Sequence, residues 1–112
     1  MPAQQSYRIE RINELIHREL VMLLKKETKD PRLQVVSITD VITSRDLGSA
    51  KVFYSVPEEM KNDAKKSLKK ANGFFRSRLS KILDLRHTPE LHFLYDSAPN
   101  TGARMDDLLR NI

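Results

Sequence analysis

Apolar side chains recur at Ile9, Ile12, Ile16, Leu20 and Leu23, a three-and-four spacing that predicts an amphipathic helix at the start of the chain. Ser6 is placed to cap it, and Leu15, Val21, Met22 and Leu24 widen its apolar surface, so the helix should lie deep against a sheet. Lys29-Asp30-Pro31-Arg32 ends it, because the residue before proline disfavours helix and Asp-Pro opens turns. From Val35 to Ser44 the period drops to two: Val36, Ile38 and Ile42 share one face, Val35, Val41 and three hydroxyl residues the other. After a turn at Arg45-Asp46-Leu47-Gly48, Ala50, Val52, Tyr54 and Val56 alternate with Lys51, Phe53 and Ser55, predicting a hairpin.

Pro57-Glu58-Glu59 suits a helix entry, with proline in the first turn and acids at the positive end of the dipole. Ala64, Leu68, Ala71, Phe75, Leu79 and Ile82 then form a second stripe, on a helix ending near Asp84 to Arg86. Thr88-Pro89 introduces a third strand, in which Leu91, Phe93 and Tyr95 alternate with His92 and Leu94. Asn100-Thr101-Gly102 precedes a short terminal helix carrying Met105, Leu108, Leu109 and Ile112. The expected organisation is one α+β domain over residues 1–112, with a flexible N-terminus at 1–6 and the short helix at 100–112. A hairpin followed by a helical crossover gives a three-stranded mixed sheet with helices on one face.

Charge changes this picture most between Lys61 and Arg86, which holds nine basic and two acidic residues. That is a net +7 against +5 for the whole chain, so the rest is weakly acidic. Placed on one helix, the excess makes a docking face for a polyanion. A helix face that is merely solvated interleaves glutamate with lysine, as the first helix does with Glu10, Glu14, Glu19 and Glu27 among its cations. Here only Asp63 and Asp84 intervene. With Leu68 at the centre of the buried stripe, Lys65, Lys66, Lys69, Lys70 and Arg76 fall on the opposite and flanking arc, and Gly73 lies within it. Glycine inside a helix costs on the order of 1 kcal/mol relative to alanine. One explanation is a kink that lets a long helix wrap a small sheet. The other is a break that starts a second helix at Asn72-Gly73 and frees backbone N–H groups for a phosphate. The flanking cations favour the break.

Other chemistry is thinly represented. The chain has no cysteine, which removes disulfides, thiolate nucleophiles and Cys-ligated zinc. His17, His87 and His92 lack metal-site spacing, and the three glycines form no glycine-rich phosphate loop. Asp30, Asp40, Asp46 and Asp96 fall near strand ends, where turn and cap roles outweigh metal binding. Phe53 is a candidate for stacking on a base or for packing under a helix. No enzyme, metal or cofactor is expected. No apolar run is long enough for a signal peptide or a bilayer span, so the expected location is the cytoplasm, with no membrane partner.

Several segments, in order, resemble the ribosome-binding factor A family. They are Arg11-Ile12 to Glu19-Leu20, Asp30-Pro31-Arg32-Leu33, Ile38-Thr39-Asp40-Val41, Ser44-Arg45-Asp46-Leu47 with Ala50-Lys51-Val52, Gly73-Phe74-Phe75-Arg76, and Arg86-His87-Thr88-Pro89-Glu90-Leu91 through Phe93-Leu94-Tyr95-Asp96. The resemblance spans about Tyr7 to Leu109. It implies a type II KH-like fold with an Ala-x-Gly interhelical kink, here Ala71, Asn72 and Gly73, in place of the loop of RNA-binding KH domains. It also implies a partner, the immature small ribosomal subunit and its rRNA, and a part in cold adaptation. Many relatives carry a charged tail beyond the fold, whereas this sequence stops at Ile112. The combined expectation is a monomeric, non-catalytic assembly factor with no small-molecule substrate. Lys65, Lys66, Lys69, Lys70, Arg76, Arg78 and Lys81 would contact phosphates, and Asn72 and Gly73 would allow close backbone approach. The alternative is a small structural subunit of a ribosome or other nucleoprotein, binding RNA through the same helix.

Overall fold

In the computed structural model, which describes residues 2–96, three strands and three helices enclose one apolar core. Helix α1 (Pro2–Met22) runs into a π-helical turn, Leu23–Glu27, and a single helical turn follows, α2 (Pro31–Gln34). Strands β1 (Ser37–Thr43) and β2 (Ser49–Ser55) pair antiparallel. A 3-10 turn, Glu58–Met60, leads into α3 (Lys61–Ser80), which crosses over to β3 (Glu90–Tyr95), parallel to β2. The sheet order is β1-β2-β3, so β3 is an edge. The expected α+β architecture with a three-stranded mixed sheet is present. The proposed terminal helix at 100–112 lies outside the described residues.

Ile12, Ile16, Leu20, Leu23 and Leu24 of α1 and its π-helical turn meet Leu68, Phe75 and Leu79 of α3 over Val41, Ala50, Val52, Tyr54 and Leu91 from the sheet. The helices thus share one face of the sheet, as anticipated. Helix α1 begins at Pro2, so Ser6 lies inside it and is not its cap. Asp30 caps α2 instead: its carboxylate accepts from the Arg32 backbone N–H at 2.9 Å, with Pro31 in the first turn.

The faces of β1 differ from the simple alternation. Ile38 pairs with Tyr54 but Asp40 with Phe53, so Thr39 is a bulge. An extra residue switches every later side chain to the other face. Val36 is buried and Ile38 packs on the core, as expected, but beyond the bulge Val41 and Thr43 turn inward in place of Ile42. Thr43 is satisfied by Asn13 of α1, whose amide oxygen accepts from both its backbone N–H and its hydroxyl. The Thr39 hydroxyl donates to Asp96 at 2.8 Å.

Phe53 packs instead of facing solvent. It is 3% exposed, on the sheet face away from the helical core, and cannot stack on a base there. Helix α3 ends at Ser80, earlier than expected, because the N–H groups of Lys81 and Ile82 bond three residues back, to Arg78 and Leu79. The tightened turn leaves Ile82 exposed and buries Leu83 instead.

In the hairpin turn the Asp46 carboxylate accepts from the Ser44 hydroxyl at 2.7 Å and the Gly48 N–H at 2.9 Å. These bonds, the hydroxyl's first, hold its pKa below the ordinary 3.8. A depressed carboxylate stabilises the fold fully above its unfolded-state value, and the contribution is lost as pH falls through the lower folded value. The thermal midpoint of Asp46→Asn should therefore lie below the parent's at neutral pH. The gap should close on acidification below about pH 3.8, measured by melts across that range.

Candidate nucleic-acid interface

Helix α3 turns Ala64, Ser67, Leu68, Phe75 and Leu79 inward and leaves Lys65, Lys66, Lys69 and Lys70 exposed, with Lys81 exposed just beyond its end. Among the described residues the ion pairs are Asp30–Arg32, Glu27–Arg78 and Glu90–His92, and none uses these lysines. Their charges repel on adjacent turns with no carboxylate between them, a cost that a bound anion would relieve. Lys81 stands at the C-terminus of α3, where the helix dipole favours a cation.

Two of the expected phosphate contacts, Arg76 and Arg78, also make bonds within the fold. Arg76 donates to the Thr88 carbonyl at 2.8 Å and the Pro89 carbonyl at 3.2 Å, latching the segment that enters β3. Arg78 pairs with Glu27 and lies 5.5 Å from the Phe74 ring centroid, joining the π-helical turn after α1 to the end of α3. Both cations add to the local potential while their donors hold the fold together.

The anticipated break is absent. Helix α3 is continuous through Ala71, Asn72 and Gly73, so no second helix starts there and no backbone N–H group is released. Asn72 does not cap; its side-chain amide donates to the Leu91 carbonyl at 3.0 Å and ties α3 to the edge strand β3. Ala71 packs on the core. Gly73 is exposed, has no positive φ, and a Cβ built there meets nothing within 4 Å. Gly73→Ala should therefore raise stability by about 0.5–1 kcal/mol, read from urea unfolding, since alanine is the better helix former and restricts the unfolded chain. Asn72→Ala should lower it by about 1 kcal/mol, the scale of one hydrogen bond.

The lysine ridge separates two hollows. One, of about 290 Å³, runs between α3 and β3 and is bordered by Lys65, Lys69, Asn72, His92 and Leu94. The other, of about 400 Å³, opens where α2 packs on α3 and is lined by Arg32, Lys66, Ser67, Lys69 and Lys70. The periodicity of α3 could not locate Arg32, which reaches the lysines only because α2 folds back onto that helix. Its guanidinium meets the Asp30 carboxylate with Nε at 3.0 Å and Nη2 at 3.2 Å. That contact, together with the Arg32 backbone N–H, holds the Asp30 carboxyl below the usual range. Among the described residues no group of three or more His, Cys, Asp or Glu could hold a metal ion, and no helix is long and apolar enough to cross a membrane.

The chain is similar throughout to known proteins. A factor from Ruthia magnifica subsp. Calyptogena magnifica, called ribosome-binding factor A, is 63% identical over all 112 residues of both chains. The crystal structure of ribosome-binding factor A from Thermus thermophilus superposes with a TM-score of 0.69, covering 80% of this chain and 98% of that one at 24% identity. A homology model of the Thermus thermophilus factor, as fitted into the cryo-EM map of a 30S complex with ribosome-binding factor A, gives a TM-score of 0.58 at 26% identity, over 71% of this chain and 86% of that one. The family model described as "Ribosome-binding factor A" matches residues 8–109. Hairpin, crossover helix and edge strand all fall within that match, and the chain belongs to the ribosome-binding factor A family.

Proposed function

We propose that this chain is a non-catalytic RNA-binding factor that associates with the immature small ribosomal subunit in the cytoplasm and assists maturation of its rRNA. The observation that carries this reading is the run of exposed lysines on α3 without carboxylate partners, in a chain of this family. The fitting of the Thermus thermophilus homology model into the map of a 30S complex supports the choice of partner. Lys65, Lys66, Lys69, Lys70 and Lys81 neutralise phosphates and set orientation, contacts that carry no base sequence by themselves. Gly73 keeps the helix surface low beside them. The factor acts as a single copy and needs no nucleotide or cofactor. It favours one rRNA conformation by binding it more tightly than the competitors, since a ligand shifts an equilibrium only through unequal affinity. Its effect is largest at low temperature, where misfolded RNA helices persist longest.

The test is to capture the tagged chain from cells grown cold and to measure its stoichiometry on precursor and mature particles. The expected result is a minority of small-subunit precursors carrying the chain, their rRNA incompletely processed, and none on mature subunits. One copy on every mature particle would make it a structural subunit. No association with either would overturn the assignment.

A further inference from the structure

Among the described residues, Ser67 Oγ is the buried side-chain polar atom without a hydrogen-bond partner. Ser67 is 3% exposed, and a buried polar group of this kind ordinarily has a partner. A serine within a helix commonly returns its hydroxyl to a carbonyl one turn earlier, and this one does not. It lines the hollow between α2 and α3, with Arg32, Lys66, Lys69 and Lys70 around it. The Asp30 carboxylate lies near enough to feel the hydroxyl, but without hydrogen-bond geometry.

Arg32 is half exposed, and Asp30 occupies two of its five guanidinium N–H donors, leaving three free and the plane fixed. Four cations line the hollow, and the carboxylates that act on Arg32 are Asp30 and Asp63. An unpaired hydroxyl donor, a pre-oriented guanidinium and three lysines suit an anion with several acceptor oxygens. We propose that this hollow seats one backbone phosphate of the bound RNA, with the Ser67 hydroxyl and the free Arg32 N–H groups donating to it and Lys66, Lys69 and Lys70 neutralising it. The proposal rests on the RNA-binding reading above and adds a defined seat, reached from α2, to a face otherwise made of one helix.

The experiment compares the parent chain with Ser67→Ala, Arg32→Gln and Lys65→Gln, the last outside the hollow. Each is melted and titrated against precursor small subunits at several salt concentrations. Ser67→Ala should melt at or slightly above the parent, because a buried unpaired hydroxyl is removed and alanine favours helix. It should nevertheless bind about fivefold to tenfold more weakly with the salt slope unchanged, since no charge is lost. Arg32→Gln should lower the slope by about one unit. If Lys65→Gln lowers the slope while Ser67→Ala and Arg32→Gln bind like the parent, the helix face binds RNA and the hollow is ordinary packing. If the parent itself fails to bind, the RNA reading and the seat fall together.

Discussion

Phe75→Ala should lower the unfolding free energy by about 3–5 kcal/mol, and Leu68→Ala by about 2–5 kcal/mol, measured by urea denaturation. Phe75 is wholly buried, and its ring stands 5.8 Å from that of Phe93 on β3, so it links the crossover helix to the strand it delivers. Leu68 is 1% exposed, one turn beyond Ala64, which packs into the same core with nothing exposed. Truncating either leaves a cavity that neighbouring side chains fill only in part, and lost transfer energy and lost contacts add. At the typical stability of a domain this size, such a loss is a large fraction of the total. Neither side chain reaches the lysine face, so the folded fraction of each variant should bind precursor subunits with the parent's affinity. A variant that melted like the parent would mean a different helical register, and the arc of exposed lysines would have to be redrawn.

The combined change of Lys65, Lys69 and Lys70 to glutamine should have the opposite profile. Each phosphate neutralised contributes about 0.7–0.9 to the slope of log K against log salt, so losing three should flatten it by roughly two units or more. Affinity at low salt should fall steeply while the difference between variant and parent narrows as salt rises. Folding should hardly change, because the three side chains are exposed and belong to no ion pair among the described residues. Glutamine is also a good helix former, and relief of like-charge repulsion offsets the loss of aliphatic contact. A slope equal to the parent's would move the RNA-binding face elsewhere on the molecule.

Gly73 shows how a local signal can be read correctly as an anomaly and wrongly as a break. Its intrinsic cost is real, yet Phe75 and Leu79 beyond it pack into the same core as Ala64 and Leu68 before it. Burial on both sides of a weak residue holds a helix together, since packing of the apolar face outweighs propensity. Asn72, a good cap in isolation, is drawn into a cross-element bond with Leu91 because β3 presents a carbonyl there.

What the amino-acid order determined by itself was the periodic part: two amphipathic helices, an alternating hairpin, a third strand after Thr88-Pro89, and an unbalanced run of lysine on one helix. These follow from spacing along the chain, which local geometry converts directly into faces. Tertiary structure decided what depends on residues far apart in sequence. The bulge at Thr39 reversed the faces of β1, a shift governed by pairing with β2 and by the bond to Asp96. Arg76 and Arg78, alike in sequence to the free lysines, were taken up by the carbonyls before β3 and by Glu27. Arg32 joined the lysine face, and Ser67 came to line a hollow beside it, only because α2 folds back against α3. Charge and periodicity are additive along a chain and can be counted in advance. Which donors remain unpaired depends on what each one meets when the chain closes on itself.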